Sequence, residues 1–93
     1  MVVTVLTPDK FTLAPGMLVY VPVYHTEKGW IVERKVVGAL KATDDGVIRK
    51  VEYQDGPDSS GQSERSIGEC YAMKHFANNQ ANWLRSMFDP RYI

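Results

Sequence analysis

Turn signals cut the first fifty-odd residues of this chain into runs of β character, and a helical period begins only after Tyr71. Pro15-Gly16 opens the run Met17–Tyr24, Pro presetting one dihedral and Gly supplying the permissive one. That run is largely apolar on both faces. Pro22 has no amide hydrogen to give a ladder, which places the second half of the strand at a sheet edge or a bulge. His25–Gly29 is polar and ends in glycine, so it reads as a hairpin loop leading into a second run, Trp30–Leu40. Neither face of the second run is purely apolar, and Gly38 marks a bulge or tight bend. Asp44-Asp45-Gly46 is a second hairpin turn whose glycine accepts positive φ, and Val47–Tyr53 then alternates cleanly.

From Gln54 to Ser63 no side chain is apolar, so a mobile, exposed loop is expected over 54–63. Glu64–Tyr71 reads as a short return strand. After it Met73, Phe76, Ala77, Gln80, Leu84, Met87 and Phe88 recur at steps of three and four, predicting an amphipathic helix over 73–88 with one buried stripe. Asp89-Pro90 stops it. The expectation is a single domain over residues 1–93, in the α+β class. It comprises a small antiparallel β-sheet or SH3-like barrel of three to five strands over about 3–71, followed by one C-terminal amphipathic helix. Trp83 and Leu84 are expected to enter the barrel side opposite Trp30 or Tyr53.

Composition excludes several classes. Ninety-three residues fall within the range of one domain, and eleven basic against eleven acidic side chains leave no global field to draw in DNA or an acidic membrane. Residues 1–50 carry a net +2 and residues 51–93 a net −2, a mild asymmetry. No stretch approaches the roughly 18 apolar residues of a membrane span. The lone Cys70 can form no internal disulfide and fits a reducing cytoplasm.

No catalytic residue is assigned. Cys70 and His75, the one thiol and base near each other in sequence, would lie about 140° apart on a helix, so a structural cysteine is the better reading. His25 and His75 are too few to imply a metal, and no cofactor is called for. Asp44-Asp45-Gly46 lacks the ligand spacing of a cation loop. Asp55, Asp58 and Glu64 bracket a loop too polar to raise a carboxyl pKa for acid–base work. Gly56 and Gly61 have no phosphate-loop context.

Two surfaces remain. Tyr20, Tyr24, Trp30, Phe88 and Tyr92, with Phe11 and Trp83, are more aromatics than a core of this size readily buries, and they point to a protein partner or a homodimer. The competing reading is that they complete the core between helix and sheet. Trp30, Arg34, Lys35, Arg49, Lys50 and Tyr53 form the alternative, a basic and aromatic hairpin face for single-stranded nucleic acid. Lys and Arg that merely solvate a sheet and guard its edge are its competing reading.

The succession Pro15-Gly16, Gly29-Trp30-Ile31-Val32, Gly46-Val47-Ile48 through Tyr53, a polar loop, then Cys70-Tyr71-Ala72 running into an Ala-containing helix resembles small SH3-like modules encoded by phages and prophages. The likeness spans residues 15–84. Met73 departs from it, standing where those modules place a Thr or Ser cap. Such modules mostly carry no assigned activity, so the resemblance implies a fold and a phage or mobile-element setting. Together these readings predict a non-enzymatic interaction module that binds a protein through an edge strand or aromatic patch, with no membrane partner.

Overall fold

The computed structural model describes residues 4–88. Four antiparallel strands, β1 (Leu18–His25), β2 (Gly29–Ala42), β3 (Ile48–Tyr53) and β4 (Glu64–Ser66), lie side by side in chain order. A single 3-10 turn, Ile67–Glu69, leads to one helix, α1 (Lys74–Phe88). The fold is α+β: a curled half-barrel sheet with its helix at the C-terminal end.

The odd-numbered residues of β1 face inward. Val19, Val21 and Val23 join Val37 of β2, Val51 and Tyr53 of β3, Leu13 and Cys70 in one buried cluster on the concave side. Leu13 reaches it because the N-terminal segment doubles back, the Leu13 amide donating to the Val5 carbonyl at 2.8 Å. The even-numbered residues, with Tyr20 opposite Arg34, Pro22 opposite Val32 and Tyr24 opposite Trp30, make the convex face.

β1 is an edge strand, as Pro22 requires. Tyr20, of the same parity, exchanges backbone hydrogen bonds with Tyr71 at 2.7 and 3.0 Å on the side away from β2, so the missing Pro22 amide falls on that edge and the β1–β2 ladder is unbroken. The segment expected to return as one strand to Tyr71 stops pairing with β3 at Ser66. Its 3-10 turn carries the chain across to the β1 edge, where Tyr71 pairs. That crossing curls the sheet.

Gly38 marks the expected irregularity, since the β2–β3 register shifts between Val37 and Leu40. A Cβ at this position would sit 2.9 Å from the Glu52 carbonyl oxygen. Gly46, at φ +79°, turns the second hairpin.

The 54–63 loop has no apolar side chain, and a buried carboxylate organises it instead. Asp58 accepts from the Tyr53 hydroxyl at 3.1 Å, the Arg65 Nε at 3.0 Å and the Ser60 amide at 3.0 Å. Burial alone would raise its pKa. The Arg65 and Ser60 hydrogen bonds and the Arg65 charge outweigh it and hold the carboxyl at about 2.

Candidate functional site

α1 lies across the convex face of β1 and β2, not inside the curl. The expectation that Trp83 and Leu84 enter the barrel side opposite Trp30 or Tyr53 is corrected in part: the concave side is already filled by valines and Cys70, Trp83 is half exposed and only the small Ala77 and Ala81 of α1 are buried, while Leu84 does meet Trp30, on the convex face. The two alanines let the helix approach closely. Leu84 follows them on the same stripe and shares a hollow of about 120 Å³ with Pro22, Trp30, Tyr71 and Gln80.

Two polar clamps fix the helix. At its start the Asp9 carboxylate accepts the Ala72 amide at 3.1 Å and the Met73 amide at 2.9 Å, satisfying two donors that have no intrahelical partner. Burial tends to raise the Asp9 pKa, but these amides and the Thr7 hydroxyl lower it overall. Near the end Arg85 reaches back to the Trp30 carbonyl with Nε at 2.9 Å and Nη2 at 2.6 Å, and gives Nη1 to the Asn82 side chain. Asp9 thus anchors the chain at Ala72 and Met73, just before the first helical residue, Lys74.

With one stripe of α1 seated, a second faces away from the sheet. Phe76, Trp83 and Met87 follow one another at steps of seven and four. Phe76 is 41 % exposed, Trp83 51 %, Met87 57 %, and Phe88, edge-on to Trp83 at 5.8 Å, 60 %. The sequence periodicity held this second stripe, but it was merged with the first into a single buried one. Spacing alone does not say which of two adjacent stripes a small sheet covers.

The other sequence-nominated residues separate. Tyr24 stands edge-on to Trp30 at 5.5 Å on the convex face, the face that also carries Tyr20. The Trp30 indole nitrogen is buried and has no hydrogen-bond acceptor among the described residues. Phe88 belongs to the outward helix patch; Tyr92 lies outside the described residues. Of the basic and aromatic set, Lys35 and Tyr53 are buried: Lys35 pairs with Asp55 at 3.2 Å and sits 5.1 Å from the Tyr53 ring centre. Arg49 pairs with Asp45 at the hairpin tip and Lys50 with Glu64. Arg34 alone of that set shares a hollow with Tyr20, Val32 and Lys74, and among the described residues neither cation has an ion-pair partner. The six residues thus do not form one solvent face.

The remaining chemistry is structural in character. Burial pushes the Cys70 thiol up to about 12, so the nucleophilic thiolate is suppressed. Tyr53 is driven well above its ordinary value by burial and by the Asp58 charge. A hollow of about 780 Å³ between Thr4–Leu6, the second hairpin tip and Ser66–Gly68 holds one charged side chain, Arg49, already engaged by Asp45. Among the described residues no group of three or more His, Cys, Asp or Glu is placed to hold a metal, and no helix is long and apolar enough to cross a membrane. No family model, no curated protein and no solved structure matches the chain.

Proposed function

We propose that this chain is a non-enzymatic protein-interaction module of phage or mobile-element origin, acting in the cytoplasm, and that the outward stripe of α1 is its binding surface. One observation carries the reading: Phe76, Trp83 and Met87 stay exposed along a side of α1 whose neighbouring stripe is already packed, with the exposed Phe88 edge-on to Trp83. A contiguous apolar patch on a small domain marks an interaction site, and Trp and Phe supply large contact area at low entropy cost. The buried thiol and the fully partnered Asp58 support a non-catalytic role. The module setting rests on the sequence resemblance, and the cytoplasmic one on the free, buried Cys70.

A photoreactive phenylalanine at position 83, introduced in the cell that makes the protein, tests this. A protein adduct from position 83 and none from position 44, at the far hairpin tip, is the expected result. Equal labelling from both positions, or none from 83, contradicts the reading.

A second reading is favoured by the Arg34 and Lys74 pair beside Tyr20: weak binding of single-stranded nucleic acid, steered by two cations that no carboxylate among the described residues pairs with. Its mark is affinity for an oligonucleotide that falls steeply with added salt and is lost in Arg34→Ala.

A further inference from the structure

We infer that the outer edge of β2, between Trp30 and Val36, is a docking site for an extended acidic segment of another protein, which adds there as an antiparallel strand. The surface is separate from the outward stripe of α1: at about 100° per residue, Lys74 beside this edge lies about 180° round the helix from Trp83.

The register leaves half of β2 with a neighbour on one side only. Gly29–Val36 pairs with β1, and pairing with β3 begins at Val37. Tyr20 turns its backbone groups to Tyr71, away from β2, while Val36 gives its amide to Asp55 Oδ1 and its carbonyl accepts the Gln54 amide. Antiparallel ladder bonds alternate along a strand, so the even-numbered residues of this half direct N–H and C=O away from β1. Arg85 takes the Trp30 carbonyl at one end of the edge, and Gln54 with Asp55 takes Val36 at the other. Between them the Val32 and Arg34 amides and carbonyls have no hydrogen-bond partner among the described residues. The open stretch, residues 31–35, is roughly 17 Å long at about 3.3 Å per residue. Because each of Val32 and Arg34 offers both a donor and an acceptor, an antiparallel segment can exchange two bonds with each.

Charge selects the segment. Arg34 and Lys74 share a hollow of about 270 Å³ with Tyr20 and Val32. Neither cation has an ion-pair partner among the described residues. The nearby carboxylates are already committed, Glu33 to the Ser59 amide at 2.8 Å and Asp55 to Lys35 at 3.2 Å. A residue paired with Arg34 projects its side chain on the same face, about 5.5 Å away at Cβ, so a Glu there meets both cations. Two residues further along, the segment faces Val32, where an apolar side chain fits. Alternating donors and acceptors along an edge are matched by a peptide backbone, which favours a peptide over an oligonucleotide on the same two cations.

Amide NMR of the 93-residue chain tests the inference. In the free protein the Val32 and Arg34 amides should exchange with solvent promptly, while those of Ile31 and Glu33, bonded to β1, are protected. The probe is the peptide acetyl-Ser-Thr-Glu-Thr-Val-Thr-Ser-amide, whose Glu falls opposite Arg34 and whose Val falls opposite Val32. Its titration should shift the Val32 and Arg34 amides and slow their exchange. Methylating the peptide's Glu and Val nitrogens removes two ladder bonds and should weaken binding at least about tenfold. A lysine in place of the peptide's glutamate should weaken it several-fold, as should Arg34→Gln or Lys74→Gln in the protein. Both replaced side chains are exposed, and an unchanged spectrum away from the edge verifies each variant's fold.

A methylated or lysine peptide that binds as tightly as the probe overturns the inference, as does the absence of any binding. Val32 and Arg34 amides already protected in the free protein overturn it too, in favour of this chain's own tail if the protection survives dilution and of a second copy if it does not. An oligonucleotide that shifts these amides where the peptide fails assigns the cations to nucleic acid instead. The position-83 photoprobe on the outward stripe reads out separately, so the two protein-binding surfaces stand or fall independently.

Discussion

Asp9 anchors the entry to α1 from the N-terminal turn, its carboxylate accepting the Met73 amide at 2.9 Å across sixty-four positions of sequence. The contact couples the first segment of the chain to the last element. Asp9→Ala leaves the Ala72 and Met73 amides unpaired and should cost about 1 kcal/mol, the usual order for such a loss. Asp9→Asn, which keeps an acceptor, should cost less. Urea unfolding of the three proteins at neutral pH measures both differences; equal stabilities would show that the contact is not formed in solution.

Acid should loosen the 54–63 loop first through Asp58. Its carboxyl lies at about 2 in the fold against an ordinary 3.8, so between those values the unfolded chain binds more protons and stability falls as pH falls. The contribution is complete above about pH 5, is lost as pH drops through the folded value, and amounts to about 2 kcal/mol. Asp58→Asn removes that part of the pH dependence. At neutral pH it also leaves the largely buried Arg65 guanidinium with only the longer Glu69 pairing at 3.7 Å, a further loss of stability. Thermal melts from pH 7 to pH 2 check both; a variant with the wild-type slope contradicts the assignment.

How much of this was readable beforehand differs from element to element. Hairpins were, because Gly46 and the alternation of Val47–Tyr53 act locally, and Pro22 announced an edge strand for a local reason too. The side of the sheet that the helix covers was not. It depends on Val19, Val21, Val23 and Val51 having already closed the concave face, a fact of three dimensions. The Asp9 contact and the Asp58 anchor escaped for the same cause: each is one carboxylate whose partners are set by tertiary approach. Lys35 and Tyr53 were nominated as surface residues because period-2 alternation separates two faces without saying which is wet. The outward stripe of α1 was present in the spacing but read as core.

Ala81 and Trp83 should reverse the ordinary expectation that the larger side chain matters more. Ala81 is fully buried between α1 and the sheet, while half of Trp83 faces solvent. Ala81→Leu forces added volume into a closed contact and should cost 1–3 kcal/mol or more, to about the upper range for overpacking. Trp83→Ser should change monomer stability by about 0.5 kcal/mol or less. Denaturant midpoints at a concentration too low for association give the comparison; a larger loss for Trp83→Ser would mean that α1 is seated on its other stripe.

Cys70 should behave as an inert core residue. It is fully buried, it donates weakly to the Ser66 carbonyl, and its thiol is pushed up to about 12. A disulfide exchange reagent should leave it unmodified in the native protein and react promptly once denaturant is added. Prompt native reaction would contradict the burial.

The outward stripe of α1 as this chain's protein-binding surface is tested most directly by photocrosslinking in the cell that makes it, with the photoreactive phenylalanine placed in turn at positions 76, 83 and 87. Protein adducts should form from these three positions and not from position 28, in the first hairpin loop. Adducts formed as readily from position 28, or none from the helix, would contradict it.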